Sequence, residues 1–441
     1  MGNRTVAKSR NLDEKPFITQ IKRESVIVMK KNSTCLIVIF LCLMLIAPIF
    51  FPAVWATENS WTTMASMPTA RSSLGAAVVD GKIYVIGGKD GVNEVYDPAT
   101  NTWATKAPLP SQRTSFGIAA YANKIYVIGG YANTTTDGIS NLSGLVEVYD
   151  PATNSWETKT SMPTPRAQLT ACTVNGKIYT LGGFENSFSG KCSAVNEVYD
   201  PETDTWSTKK PMLADMYAHC AVALGDKIYV IWGQSGGQSG SYLSGPWNQI
   251  YDTRTNTWTL GAAPPEPVHR SAAVATSGLY APQKIYVIGG EVGFMEATNT
   301  TQIYDPQTDT WSMGASMSTA RQRLALAVVD DLIYAIGGSY PEYWNPASNS
   351  QNRHYTLLST SNVEPLNFVP QQNSALNEQY TPIGYAGHEP SEATSPPNDG
   401  TKSQPDLPVV AIAAASVAVV AVAGVTVLLF LRKYTRRQQT S

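Results

Sequence analysis

One heptapeptide constrains this chain more than any other feature. Lys82–Gly88 reads KIYVIGG, and it returns as KIYVIGG at 124–130, KIYTLGG at 177–183, KIYVIWG at 227–233, KIYVIGG at 284–290 and LIYAIGG at 332–338. Recurrence at intervals of several tens of residues means a repeat architecture, so one small unit is built again and again. Each unit reads alike: an apolar run (SSLGAAVVD, 72–80), a tight turn, KIYVIGG, a loop of varying length, then NEVYDPATNTW (93–103). The last piece recurs at 146–156, 196–206, 248–258 and 301–311. Short Ile/Tyr/Val segments predict strands, and DPAT-type clusters predict turns.

Each repeat is therefore expected to form four short antiparallel strands, a to d. Six such units predict a β-propeller, an all-β fold of radial four-stranded blades. The Gly-Gly after strand b, the strand c tyrosines (Tyr96, Tyr149, Tyr199, Tyr251, Tyr304) and the strand d tryptophans (Trp103, Trp156, Trp206, Trp258, Trp311) closely resemble the kelch repeat over 57–385. Glycines allow close approach of a neighbouring backbone or ring. Tyr and Trp bury large areas between blades. The recurring residues are read as scaffold.

Two blades depart from the pattern. Trp232 replaces the first glycine of blade 4 and should push its neighbours apart or fill a gap. Blade 6 offers two candidates for strand c, EYWNPASNS (342–350) and NEQYTPIGY (377–385). The second keeps the Asn-Glu, Tyr and Pro of NEVYDPATN and is preferred, which makes 339–376 a long insertion. Blade 6 then lacks its own strand d. Trp61 stands where a strand d belongs but has no strand c before it. Residues near 58–66 are expected to pair with 377–382 and close the ring, removing edges that would invite aggregation.

The flanks predict a membrane topology. Residues 1–56 carry a polar, basic-rich leader and the apolar run CLIVIFLCLMLIAPIFFPAV (35–54), followed by Ala56. That is a secretory signal pattern cut after Ala56. An uncleaved anchor is the alternative, and Met29 is an alternative start. Residues 386–406 are rich in Pro, Ser, Glu and Asp, as in a disordered tether. Residues 407–431 carry no charge and are long enough to span a bilayer as a helix. The basic tail 432–441 then lies on the cytoplasmic side. The expected location is the cell membrane, single-pass, with the propeller extracytoplasmic.

Antiparallel blades put the variable b–c loops (131–145, 184–195, 234–247, 291–300 and 339–376) on one face, called the top. Variable loops on a rigid scaffold are where binding usually resides. Arg71, Arg113, Arg166 and Arg321 stand thirteen residues before the strand b tyrosine, at the start of the innermost strand, and Arg270 joins them if blade 5 carries a three-residue insertion. Blade 4 has Met216 there. The resemblance implies that such arginines meet carboxylate or acidic ligands, a role suited to a permanently charged, bidentate group. The other reading is that each one bonds loop carbonyls or a nearby carboxylate and serves the fold.

Catalytic signals are weak. No histidine pair has metal-ligand spacing, and no phosphate loop or nucleophile elbow occurs. No cofactor or metal is expected. Asp215, Tyr217, His219 and Glu291 are the residues from which an acidic constellation near the pore could be assembled. Three cysteines lie in the repeats, Cys172, Cys192 and Cys220, open to one bridge or to two buried thiols and a loop thiol. Sequons at Asn133, Asn141 and Asn299 all fall in b–c loops. A net charge of −2 argues against a nucleic-acid partner. The sequence thus favours a membrane-anchored binding module for a protein or glycan ligand of anionic character. A sugar-acid isomerase on the same scaffold is the alternative.

Overall fold

Strand b of each repeat is buried on both faces, which explains its unbroken apolar sequence. In the computed structural model, Ile83, Val85 and Ile86 of the first copy have no exposed surface. The outer strand Thr102–Thr105 is exposed except at Trp103, which is why only one apolar residue recurs there. The structure describes residues 57–134, 140–186, 191–235, 248–293, 296–341 and 371–386.

Six four-stranded antiparallel sheets are present among these residues, each in the order a, b, c, d. Blade 1 consists of Gly75–Val79, Lys82–Ile86, Asn93–Asp97 and Thr102–Thr105. The innermost strands lie side by side around a closed circuit, each against the next and the sixth against the first. Blade 6 takes Asn377–Thr381 as strand c, paired with Leu332–Ile336. Its strand d is Ser60–Thr63, with Ser60 opposite Thr381 and Thr63 opposite Glu378. The first and last described strands of the chain thus share one sheet. The competing candidate 342–350 lies outside the described residues, as do 1–56, 407–431, the tail and all of the tether except Ala386. Among the described residues no helix is long and apolar enough to cross a membrane.

The recurring polar residues stitch each blade to its predecessor. The strand d indole donates to a carbonyl just past strand d of the preceding blade: Trp103 to Ala65, Trp156 to Ala107, Trp311 to Ala262. The strand c tyrosine donates to the turn residue five positions on, as Tyr96 does to Asn101 at 2.7 Å. That Asn or Asp, held at φ near +53°, also accepts a backbone N–H from the preceding blade, here Ala65. In blade 6 the set is completed by the other end of the chain: Tyr380 donates to Asn59, Ala315 N–H donates to Asn59, and Trp61 donates to Ala315. The glycines work as expected. A Cβ on Gly87 would lie 2.5 Å from a ring carbon of Phe116, and one on Gly129 2.7 Å from the Arg166 carbonyl oxygen.

Blade 5 corrects one count. Gly75 pairs with Ile86, eleven positions on, whereas Ala272 pairs with Ile288, sixteen on. The insertion between strands a and b is therefore five residues, not three. The position equivalent to Arg71 is Val268, and Arg270 belongs two positions further along. Cys172, Cys192 and Cys220 are all buried. Burial pushes the Cys172 and Cys220 thiols up to about 12.

Candidate functional site

The pore mouth is built by the residue that precedes each innermost strand by two positions. These are Ser73, Ser115, Gln168, Ala218, Arg270 and Arg323, all held at φ between +52° and +55°. Each N–H donates to the carbonyl of its counterpart in the preceding blade. Ser115 donates to Ser73, Gln168 to Ser115, Ala218 to Gln168, Arg270 to Ala218 and Arg323 to Arg270. Ser73 closes the circle by donating to Arg323 at 3.0 Å. This girdle fixes the backbone at the top of the pore, so side chains leave it from a rigid base.

A cavity of about 350 Å³ sits at this girdle. Arg270, Arg323, Tyr131, Gln168, His219 and Ser271 give its polar lining, and Leu74, Phe116, Leu169 and Leu324 its apolar edges. Gln168 donates to the Tyr131 hydroxyl at 3.4 Å. Arg270 is paired with Glu291, which is 2% exposed and also stands 3.6 Å from His269 Nε2. Arg323 is half-buried, its backbone is bonded within the girdle, and its guanidinium forms no hydrogen bond or ion pair among the described residues. Its pKa is lowered, first by burial and next by the like charge of Arg270, and the Glu291 charge opposes the shift. The site therefore holds a desolvated cation whose donors no described residue takes.

The other four arginines are placed differently. Arg71, Arg113, Arg166 and Arg321 are at most 2% exposed. Each directs Nη2 at a glutamate on strand c of its own blade: Glu94 at 2.7 Å, Glu147 at 2.6 Å, Glu197 at 2.7 Å and Glu378 at 2.6 Å. Each directs Nη1 at the two ends of its b–c loop, as Arg113 does to the carbonyls of Gly129 and Leu145. These arginines clamp the loop bases from inside the blade. Burial lowers their pKa, and the paired glutamate opposes the shift. Of the five arginines expected around the pore, only Arg270 lines the cavity, and it is not equivalent to the rest.

The sequence carried a signal for this division. Where the arginine is Met216 or Val268, the strand c glutamate is Gln249 or Gln302. Charge is lost from both partners together, as a buried pair requires. The glutamines keep the accepting role: Gln249 Oε1 takes Leu213 N–H at 2.7 Å, and Gln302 Oε1 takes Glu266 N–H at 2.9 Å. Arg323 went unnoticed because it stands two residues past Arg321 and outside the spacing rule. Tyr131 was hidden at the start of a variable loop.

The b–c loops of blades 2, 3, 5 and 6 begin as short ribbons above the mouth, such as Phe184–Asn186 with Lys191–Cys192. Of the four residues considered for an acidic constellation, only His219 lines the cavity. It is buried, bonded to Thr170 at 3.0 Å, and its pKa is pushed down to about 4 by burial and then by the charge of Arg166. Asp215 accepts from Ser235, and Tyr217 stacks on Phe184 at 3.9 Å. Among the described residues no group of His, Cys, Asp or Glu could hold a metal ion. Asn141 is exposed, while the Asn299 amide donates to Met317 O at 2.9 Å.

Known proteins agree with this architecture. A family profile described as the KLHDC2/KLHL20/DRC7 Kelch-repeats domain matches residues 53–233, and the Kelch motif matches 216–265 and 277–318. Kelch-like protein terF of Aspergillus terreus is 32% identical over 262 residues, 56% of this chain and 56% of that protein. Kelch-like protein 7 of Rattus norvegicus is 44% identical over 193 residues, 44% of this chain and 31% of that protein. The chain thus spans about half, or about a third, of the length of these relatives. The solved structure titled Structure of YjhT superposes with a TM-score of 0.55 at 18% identity, covering 63% of this chain and 93% of that one, a likeness of fold. The repeats, the blades they form and these matches together make the chain a kelch-repeat β-propeller protein.

Proposed function

We propose that this propeller is a binding module that takes an anionic group of a protein or glycan ligand at the pore mouth, beneath the b–c loops. The unpartnered Arg323 guanidinium carries the proposal. A partly buried cation whose nearby counter-charge, Glu291, is already bonded to Arg270 is costly to keep, and a carboxylate placed there gains a charge-assisted bidentate bond. Arg270 stands beside it with its charge shared with Glu291, and Tyr131 offers a hydroxyl across the cavity. The rigid girdle means that little order has to be gained on binding. The sequence-based topology belongs to the same proposal: residues 407–431 anchor the chain in the cell membrane with the propeller extracytoplasmic. The isomerase alternative finds less support, because Asp215, Tyr217 and Glu291 do not join His219 in the cavity lining.

The test uses the purified full chain in detergent and isothermal titration with sialic acid, glucuronic acid, glutamate-rich peptides and neutral glycans. An acidic ligand should bind, and Arg323→Gln should weaken it at least about tenfold, the worth of one charge-assisted contact. Thermal stability should stay nearly unchanged, because the girdle bonds of Arg323 are made by its backbone and its guanidinium bonds no described residue. Absence of any acidic ligand, or equal binding by the variant, would overturn the proposal.

A further inference from the structure

The blade 5 insertion lies at the end of the propeller opposite the b–c loops, where the a–b turns lie. It is held rigidly. Asp331, 2% exposed, accepts the backbone N–H groups of Ser277, Leu279, Tyr280 and Ala281. The loop so ordered presents Leu279 at 72% exposure. It also grips the chain as it leaves the domain. Ala386 N–H donates to Tyr280 O at 2.7 Å, the rings of Tyr280 and Tyr385 lie 6.5 Å apart, and Ile383 beside them is 48% exposed. The segment that enters the propeller is here too, since Gly384 N–H donates to the Glu58 carboxylate. A buried carboxylate with this many donors is a large provision for a loop whose outward product is a bare leucine.

We infer that Leu279 and Ile383, flanked by Tyr280 and Tyr385, rest on the interfacial region of a lipid bilayer. The inference depends on the proposed anchoring by 407–431. Its support is the place where the chain leaves. From Ala386 only residues 387–406 separate this patch from the uncharged segment. Twenty residues reach no further than about 70 Å even when fully extended. Contact with the bilayer is then an intramolecular event, so a small apolar patch suffices. Tyrosine flanks suit the headgroup level. In this pose the b–c loops and the Arg323 cavity point away from the membrane, toward approaching ligands.

The experiment reconstitutes the full chain, with Cys35 and Cys42 changed to Ser, into phosphatidylcholine vesicles carrying spin-labelled lipid. An environment-sensitive fluorophore is placed at Leu279→Cys, at Ile383→Cys, or at Leu260→Cys. Leu260 is 59% exposed at the end of an outer strand that runs toward the loop face, and it serves as the control. The 279 and 383 probes should be blue-shifted and quenched about threefold more than the 260 probe, as an interfacial position requires. Equal quenching in vesicles from which carbonate does not extract the chain overturns the surface contact alone. Extraction by carbonate overturns the anchoring and this inference with it. Protection of the 279 probe that persists in detergent and grows with protein concentration assigns the patch to a second copy of the chain, and also overturns it.

Discussion

A buried arginine is tolerated only with its counter-charge, and this chain shows both states in one ring. Arg166 has no exposed surface and faces Glu197, while blade 4 carries the uncharged pair Met216 and Gln249 at the same two places. Arg166→Met should leave the Glu197 charge uncompensated and cost about 3–5 kcal/mol. Adding Glu197→Gln should return most of that loss, because the product copies a pair the protein already uses. What remains measures the clamp on the b–c loop base. Urea denaturation of the two variants checks this; a double variant no more stable than the single one would mean the pair does not act as a unit. His219 gives a second expectation. Its pKa is pushed down to about 4 from the ordinary 6.5. Between those values the unfolded chain takes a proton that the folded one refuses, so stability falls as pH drops through the window. His219→Leu puts there the residue that blades 1, 3 and 6 carry as Leu74, Leu169 and Leu324. The stability lost between about pH 7.5 and 4.5 should shrink by about 2.5 kcal/mol in the variant, read from urea titrations at both pH values. An unchanged loss would show that other groups carry the acid sensitivity.

Blades are legible in the sequence to different depths. Strand b announces itself because a strand buried on both faces must be apolar throughout, and strand c because its Tyr and Asp are tied to partners at fixed offsets. Strand a of blade 5 does not, since Ala272–Ala275 is small and apolar at every position and gives no register. Spacing alone therefore gives an insertion two residues too short and sets Arg270 level with Arg71 rather than with Ser73. Side-chain direction at the pore was equally silent: Arg321 and Arg323 are two residues apart, yet one lies inside the blade and the other lines the cavity. Trp232 was legible as an exception, and its neighbours explain it. Elsewhere the first glycine of the pair meets a bulky side chain of the next blade, Phe116 at Gly87, Leu169 at Gly129 and Leu324 at Gly289. Blade 5 offers only Ser271 at that place, and Val268 where four other junctions have an arginine. Trp232, 7% exposed and packed in one cluster with Val268, fills the space. Trp232→Gly alone should cost about 3–5 kcal/mol, and Ser271→Leu should recover part of it. Thermal unfolding of the single and double variants tests the coupling; simple additivity would mean the two side chains do not share the space.

At the scale of the molecule, the six stitches are chemically alike but one is topologically different. Four join blades that follow one another along the chain, and a fifth joins blade 1 to Ala65, in the segment just before it. The sixth joins blade 5 to a strand from the chain's other end, through Asn59 and Trp61. Loss of a stitch between consecutive blades leaves both blades joined by covalent continuity. Loss of the sixth leaves Ser60–Thr63 held to blade 6 by its ladder to Glu378–Thr381 and by flanking bonds such as Met64 N–H to Asn377 O and Gly384 N–H to Glu58, and a strand loosened there exposes the edge that closure had covered. Paired variants make the comparison fair. Asn59→Ala with Trp61→Ala removes the same groups from blade 6 that Asn101→Ala with Trp103→Ala removes from blade 1. Each pair should lower overall stability by about 3 kcal/mol. Hydrogen exchange should then separate them. The amides of Asn377–Thr381 should lose protection by at least about tenfold more in the first pair than those of Asn93–Asp97 in the second, because a strand without covalent neighbours on both sides opens locally before the ring does. Equal loss in the two blades would mean that the closing strand is held as firmly as one within the chain, and that closure adds no weak point.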